Sequence, residues 1–160
     1  MLARRIAIAV VGMATLSTIA AAQQATQVVR FEVIAKNLFI VVGSPAPLVM
    51  DSAVAGSAPA SVTAGGSSYA IVTSETNQKI TASIDAVMSA GLSLEVSLAA
   101  PAGAASLGAV RLSKHGSEVL RGISEVAASA LPITYRLNVA PFARMTTQLR
   151  MVTFTMIGGA

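Results

Sequence analysis

The chain contains no cysteine and no tryptophan, and it has a single histidine. Without cysteine there is no disulfide framework and no thiol for lipid attachment, so the fold must be held by apolar burial or by assembly. With one histidine as well, the usual zinc and copper ligand sets cannot be filled. Aromatic residues are 4% of the chain. Phe31, Phe154 and Tyr135 fall on the apolar phase of alternating segments, where they pack rather than stack on sugar rings. Charge is equally scarce, at 11% of residues.

The few charges are also scattered. No two of Glu32, Asp51, Glu75, Asp85, Glu95, Glu118 and Glu125 sit within three residues of each other, which excludes a sequence-local calcium loop. A glycosidase would need two of them to converge from distant segments. Lysine and arginine form no cluster, so the basic stripe that a nucleic-acid surface requires is missing. Gly65-Gly66-Ser67-Ser68 lacks the lysine and spacing of a phosphate loop. Lys114-His115-Gly116-Ser117-Glu118 does place a base, a hydroxyl and a carboxylate in tandem. Neighbours in one tight turn do not adopt the geometry of a nucleophilic triad, and the stretch reads as a solvated turn. The expectation is a non-enzymatic protein with no catalytic residue, no cofactor and no metal site.

The first residues carry a different signal. Met1-Leu2-Ala3-Arg4-Arg5 is a short basic start, residues 6–20 are uncharged, and Ala20 and Ala22 occupy the two small-residue positions of a signal-peptidase site. The apolar run is about 15 residues, short of the ~20 that cross a bilayer as a helix. Cleavage is expected between Ala22 and Gln23, giving a signal peptide over 1–22 and one domain over 23–160. Localisation would then be secreted, periplasmic or at the cell surface, with membrane contact only through the export signal. Losing Arg4 and Arg5 takes the 11 basic residues to nine against seven acidic ones, a net charge of +2.

Beyond Gln23 the dominant period is two. Residues 92–98 place Leu92, Leu94, Val96 and Leu98 on one face and Ser93, Glu95 and Ser97 on the other, the pattern of a half-buried antiparallel strand. Segments 29–33, 131–139 and 152–156 alternate in the same way. Shorter strand candidates cover 38–42, 47–50, 68–74, 78–84, 109–113 and 118–123. The polar tract 74–78 predicts a hairpin joining two of them. Gly65-Gly66 is expected in a turn, and 124–130 is read as at most one helical turn. Many short strands without helices predict an all-β fold, an antiparallel β-sandwich of immunoglobulin-like or jelly-roll type.

Few charges guard these strands, and an unguarded edge pairs with other chains. The candidate intermolecular strands are Val29, Phe31 and Val33 at the start and Val152, Phe154 and Met156 at the end. The order of export signal, short Gln/Thr-rich segment, alternating first strand, Ala/Ser/Thr/Val-rich body and terminal Val152-Thr153-Phe154-Thr155-Met156 resembles secreted bacterial surface proteins of the fimbrial-subunit kind. That resemblance implies a structural or adhesive subunit whose N-terminal extension completes a neighbour by strand addition. Its partners would be copies of itself or filament neighbours. Two alternatives remain open at this point. One is a monomeric periplasmic or extracellular binding domain using the loops between Gly43 and Gly66; the other is a small outer-membrane β-barrel.

Overall fold

A computed structural model describes residues 27, 29–32, 36–50, 60–144 and 146–159. The chain divides into two compact units, residues 1–32 and 33–160. The expected signal helix, with Ala20, Ala22 and Gln23, lies outside the described residues, as does Val33. In the first unit residues 29–32 belong to no sheet, and Val29 and Phe31 are 71% and 83% exposed. The alternation there predicts a strand, but a strand also needs a partner ladder, and among the described residues 29–32 have none.

The second unit is all-β, with no helix among its described residues. Among the described residues nine strands run β1 (Asn37–Gly43), β2 (Ala60–Thr73), β3 (Gln78–Ile84), β4 (Leu92–Leu98), β5 (Ala105–Ser106), β6 (Val110–Arg111), β7 (Ser117–Ile123), β8 (Val126–Val139) and β9 (Val152–Gly158). They form two antiparallel sheets, ordered β1-β2-β8-β4-β6 and β5-β7-β3-β9. The fold is the β-sandwich that the period of two predicts.

The core follows from that period. In β3, Gln78, Ile80, Ala82 and Ile84 are buried while Lys79, Thr81 and Ser83 are only half so. Leu94, Val96 and Leu98 do the same in β4, and Ile133 and Tyr135 in β8. With Tyr69, Ile71, Val119, Leu120 and Ile123 the apolar residues among them make one cluster drawn from both sheets. Each fully covered aliphatic side chain contributes on the order of 1.5–3 kcal/mol of transfer free energy.

Four expectations are corrected. Gly65-Gly66 is not a turn but a bulge inside the 14-residue β2, where the register against β8 slips between Ala64 and Ser67. Gly66 has φ +100°, which glycine adopts without strain, so the strand absorbs the extra residue and continues. Residues 124–130 are not helical: from Val126 they begin the equally long β8, whose own slip falls opposite Tyr69 to Ile71, with Ala130 at φ +56°. The stretch 47–50 makes no ladder, because Pro45 and Pro47 have no N–H to donate.

The hairpin predicted around residues 74–78 is the fourth correction. β2 and β3 lie in different sheets, so the turn is an arch between layers. The arch is fixed by bonds to its surroundings rather than across a hairpin. Asn77, at φ +51°, donates its N–H to Ser124 Oγ at 2.8 Å, Glu125 donates to the Glu75 carbonyl at 3.0 Å, and Gly159 to the Asn77 carbonyl at 2.6 Å. Glu75 in turn accepts from Gln78 Nε2 at 2.8 Å. From β2 onward every connection passes from one sheet to the other.

Candidate functional site

The two flanks of the sandwich are built differently. On one side the sheets end in β6 and β5, strands of two residues each. The chain between β6 and β7 then bonds to both sheets: Leu112 donates to the Leu94 carbonyl at 2.8 Å, and the Ser113 carbonyl accepts from Ile84 at 2.9 Å. Leu107 adds a bond to the Val119 carbonyl at 3.1 Å. Leu112 is buried beneath this segment. Backbone groups at this flank are thus largely taken up.

On the other side the sheets end in β1 and β9, strands of seven residues each. Phe39 of β1 and Phe154 of β9 face each other across the layers, with ring centroids 6.2 Å apart, and Phe39 also lies 5.4 Å from Tyr69. Among the described residues β1 pairs only with β2, and β9 only with β3. Within that set each leaves one side of its backbone outside any ladder. Neither NLFIVVG nor VTFTMIG contains a charged residue or a proline, the usual guards of an edge. Their registers against β2 and β3 run without a bulge, so neither edge is twisted away.

Charges lie elsewhere. On the outer face of the first sheet Glu95 stands between Arg136 and Arg111 in register, and Arg136 approaches it to 3.9 Å. Thr63, Ser97 and Thr134 surround this pair in an open depression of about 190 Å³. Lys79 and Glu118 pair at 3.9 Å across β3 and β7. The outer face over β1 is aliphatic instead: Leu38, Ile40 and Val42 are 49%, 45% and 58% exposed, and Val72, opposite Leu38, is 37% exposed.

Of the residues singled out in sequence, Val152, Phe154 and Met156 sit on β9 with side chains packed against the core. What β9 offers outward is its free backbone edge together with Thr153 and Thr155. Val29 and Phe31 are exposed in the first unit. The edge that sequence reasoning did not single out is β1. Five consecutive apolar residues, 38–42, have the signature of a strand covered on both faces, so the pattern does not announce an edge. Gly43 is the more telling mark: at φ +84°, a Cβ there would collide with the Gly66 carbonyl, so β1 ends where it meets the β2 bulge.

His115 lies exposed in the bend between β6 and β7, with Ser113 Oγ donating to its carbonyl at 2.9 Å. No group of three His, Asp or Glu residues converges among the described residues. A second depression, about 310 Å³, is lined by Asp85, Leu149, Arg150 and Met151. Its polar groups bind the chain itself: Asp85 Oδ1 accepts from Met151 at 3.1 Å, and Arg150 donates to the Val87 carbonyl at 2.9 Å. These bonds clasp the 85–91 connection to the entry of β9.

One titratable group is strongly displaced. Burial pushes the Tyr69 phenol up to about 12. Its hydroxyl donates to the Ala99 carbonyl beyond β4, bracing β2 across the width of β8. This neutral phenol is a structural strut. No protein-family model, no curated protein and no solved structure matches the chain.

Proposed function

We propose that the protein is a non-enzymatic, exported structural or adhesive surface subunit that self-assembles by strand addition. The observation that carries this reading is the open flank, where two seven-residue uncharged edges, β1 and β9, end side by side. An incoming extended segment gains backbone hydrogen bonds along such an edge and places alternate side chains against the layers. The exposed Val29 and Phe31 supply an apolar alternation that suits the donor role. The basic start and the small residues Ala20 and Ala22 ahead of Gln23 support export and cleavage.

The test is the state of the purified protein in solution. Size-exclusion chromatography and negative-stain microscopy are expected to show oligomers or fibres that grow with concentration. A stable monomer at high concentration, with no fibres, would sink the reading. Deleting residues 23–34 is expected to abolish polymers and leave a folded sandwich, because no described ladder includes them. Loss of all folding on that deletion would place the segment inside its own core and overturn donation in trans.

A further inference from the structure

We infer that β1 is a docking edge for β1 of a second copy, joined antiparallel about a two-fold axis with Ile40 on the axis. This inference stands on the β1 edge itself and does not depend on export, on the N-terminal segment or on β9.

The direction of the free backbone groups fixes the register. Lys36, one step before β1, accepts a hydrogen bond at its carbonyl from the Ser74 N–H at 3.1 Å, and its own N–H goes to Ser74 Oγ at 3.0 Å. Antiparallel ladders alternate between pairs that exchange hydrogen bonds and pairs that do not. Counting on from Lys36 opposite Ser74, the bonded pairs are Leu38 with Val72, Ile40 with Ala70 and Val42 with Ser68. The N–H and C=O groups of Asn37, Phe39, Val41 and Gly43 therefore point away from β2, into the free edge.

Only those four residues can bond to an added strand. When the added strand is β1 itself, antiparallel, one register uses all four on both copies: Asn37 against Gly43, Phe39 against Val41, and the same in reverse. Ile40 then faces Ile40 across the axis, with Leu38 beside Val42 on either side. These are the non-bonded pairs, whose Cα atoms approach to about 4.5 Å and whose side chains touch most closely. All are the exposed aliphatics of the outer face, 49%, 45% and 58% open in the single chain. Pairing brings the two aliphatic patches together, and a closed two-fold contact is satisfied by one partner.

Charge selects the same arrangement. β1 contains no charged residue, so the ladder opposes no like charges. The nearest charge, Lys36, lies beyond one end, where the antiparallel register sets it near Ser44 of the partner copy. A parallel pairing would put Lys36 beside Lys36. No bulge or proline interrupts the edge, and Val72 extends the patch on the β2 side.

The absence of cysteine makes the register directly testable. In the full chain, Ile40→Cys is expected to form a disulfide-linked dimer under mild oxidation, because a non-bonded pair spans a distance a disulfide can bridge. Leu38→Cys alone stays monomeric on denaturing gels, since the two Leu38 positions lie about 14 Å apart in this register at ~3.4 Å per residue. A mixture of Leu38→Cys and Val42→Cys chains is expected to cross-link. Sedimentation equilibrium gives an independent readout. Val41→Pro removes an N–H that faces away from β2, so the monomer keeps its circular dichroism spectrum while dimer dissociation weakens at least tenfold. Equal cross-linking of Leu38→Cys and Ile40→Cys, or a wild-type chain that remains monomeric throughout the concentration range, would overturn the proposal.

Discussion

The two flanks of this sandwich solve the same problem in opposite ways. At the flank of β5 and β6, ladders are cut to two residues and the connecting chain bonds to both layers through Leu112 and Ser113. At the flank of β1 and β9, seven-residue ladders run uninterrupted to the rim and, among the described residues, one side of each strand joins no ladder. The contrast extends to side chains. Arg111, Glu95 and Arg136 line up toward the first flank, while Leu38, Ile40 and Val42 cover the second. The asymmetry separates a finished rim from an unguarded one.

Damage to the finished flank carries the largest expected effect. Leu112→Ala empties a buried site beneath the stapling segment and is expected to cost about 3 kcal/mol of stability, read as a lower denaturant midpoint. Truncating Val42 to Ala at the open flank removes a side chain that is 58% exposed, and its effect on the same midpoint is expected to be within about 0.5 kcal/mol. Equal losses at the two positions would erase the distinction.

A smaller effect is expected where β1 meets the β2 bulge. Gly43→Ala must hold φ near +84° and accommodate a Cβ against the Gly66 carbonyl, a cost of about 2 kcal/mol. Thermal unfolding would register it, and limited proteolysis would locate it by cleavage near residue 43 before the rest of the domain. Unchanged stability would mean that β1 readily shifts away from the bulge.

Tyr69 tests how far the core reaches toward the open flank, since its ring lies between Phe39 and the layer interior. Tyr69→Phe removes the bond to the Ala99 carbonyl and is expected to cost about 1 kcal/mol. The phenol also predicts a pH dependence. A folded-state value raised from 10.0 to about 12 favours the protonated form, so its contribution is complete below pH 10 and is lost as pH rises toward 12. Phenolate absorbance should therefore show both tyrosines titrating late, since burial raises the Tyr135 phenol as well, and the Tyr69→Phe variant should lose less stability over that interval than the parent chain.

The smallest effect should come from the charged row. Arg136 and Glu95 meet at 3.9 Å with the arginine side chain 52% exposed, so Arg136→Ala is expected to change stability by less than about 0.5 kcal/mol, screened further by salt. Its value to the comparison is in assembly: added charge over β1, as in Ile40→Lys, should suppress association far more than losing charge over β8 promotes it.

Much of this architecture is legible in the sequence. Residues 78–84 and 92–98 alternate cleanly and form β3 and β4 with those bounds. The terminal alternation forms β9 and extends two residues further, to Gly158. What the sequence hid has a common cause. Gly65-Gly66 and residues 124–130 look like interruptions because local rules assign the first to a turn and the second to a helical turn, whereas β2 and β8 support each other through paired slips along one long ladder. The arch at 74–77 reads as a hairpin because turn chemistry is the same whether the next strand lies beside the last or above it. The open flank was half visible. An unguarded β9 follows from composition, but a wholly apolar run such as 38–42 points to a covered strand, and only the strand order reveals that β1 is uncovered.

The strict alternation of the connections between sheets also orders events in time. Thr81 and Thr155 are register partners 74 residues apart in the chain. At a synthesis rate of about 5–20 residues per second, β3 exists for about 4–15 s before the last residues of β9 are made. No early hairpin can form around it meanwhile, because the strands that follow one another belong to opposite layers. The rim of the second sheet is therefore closed only when β9 emerges, and a chain cut before Val152 loses that rim.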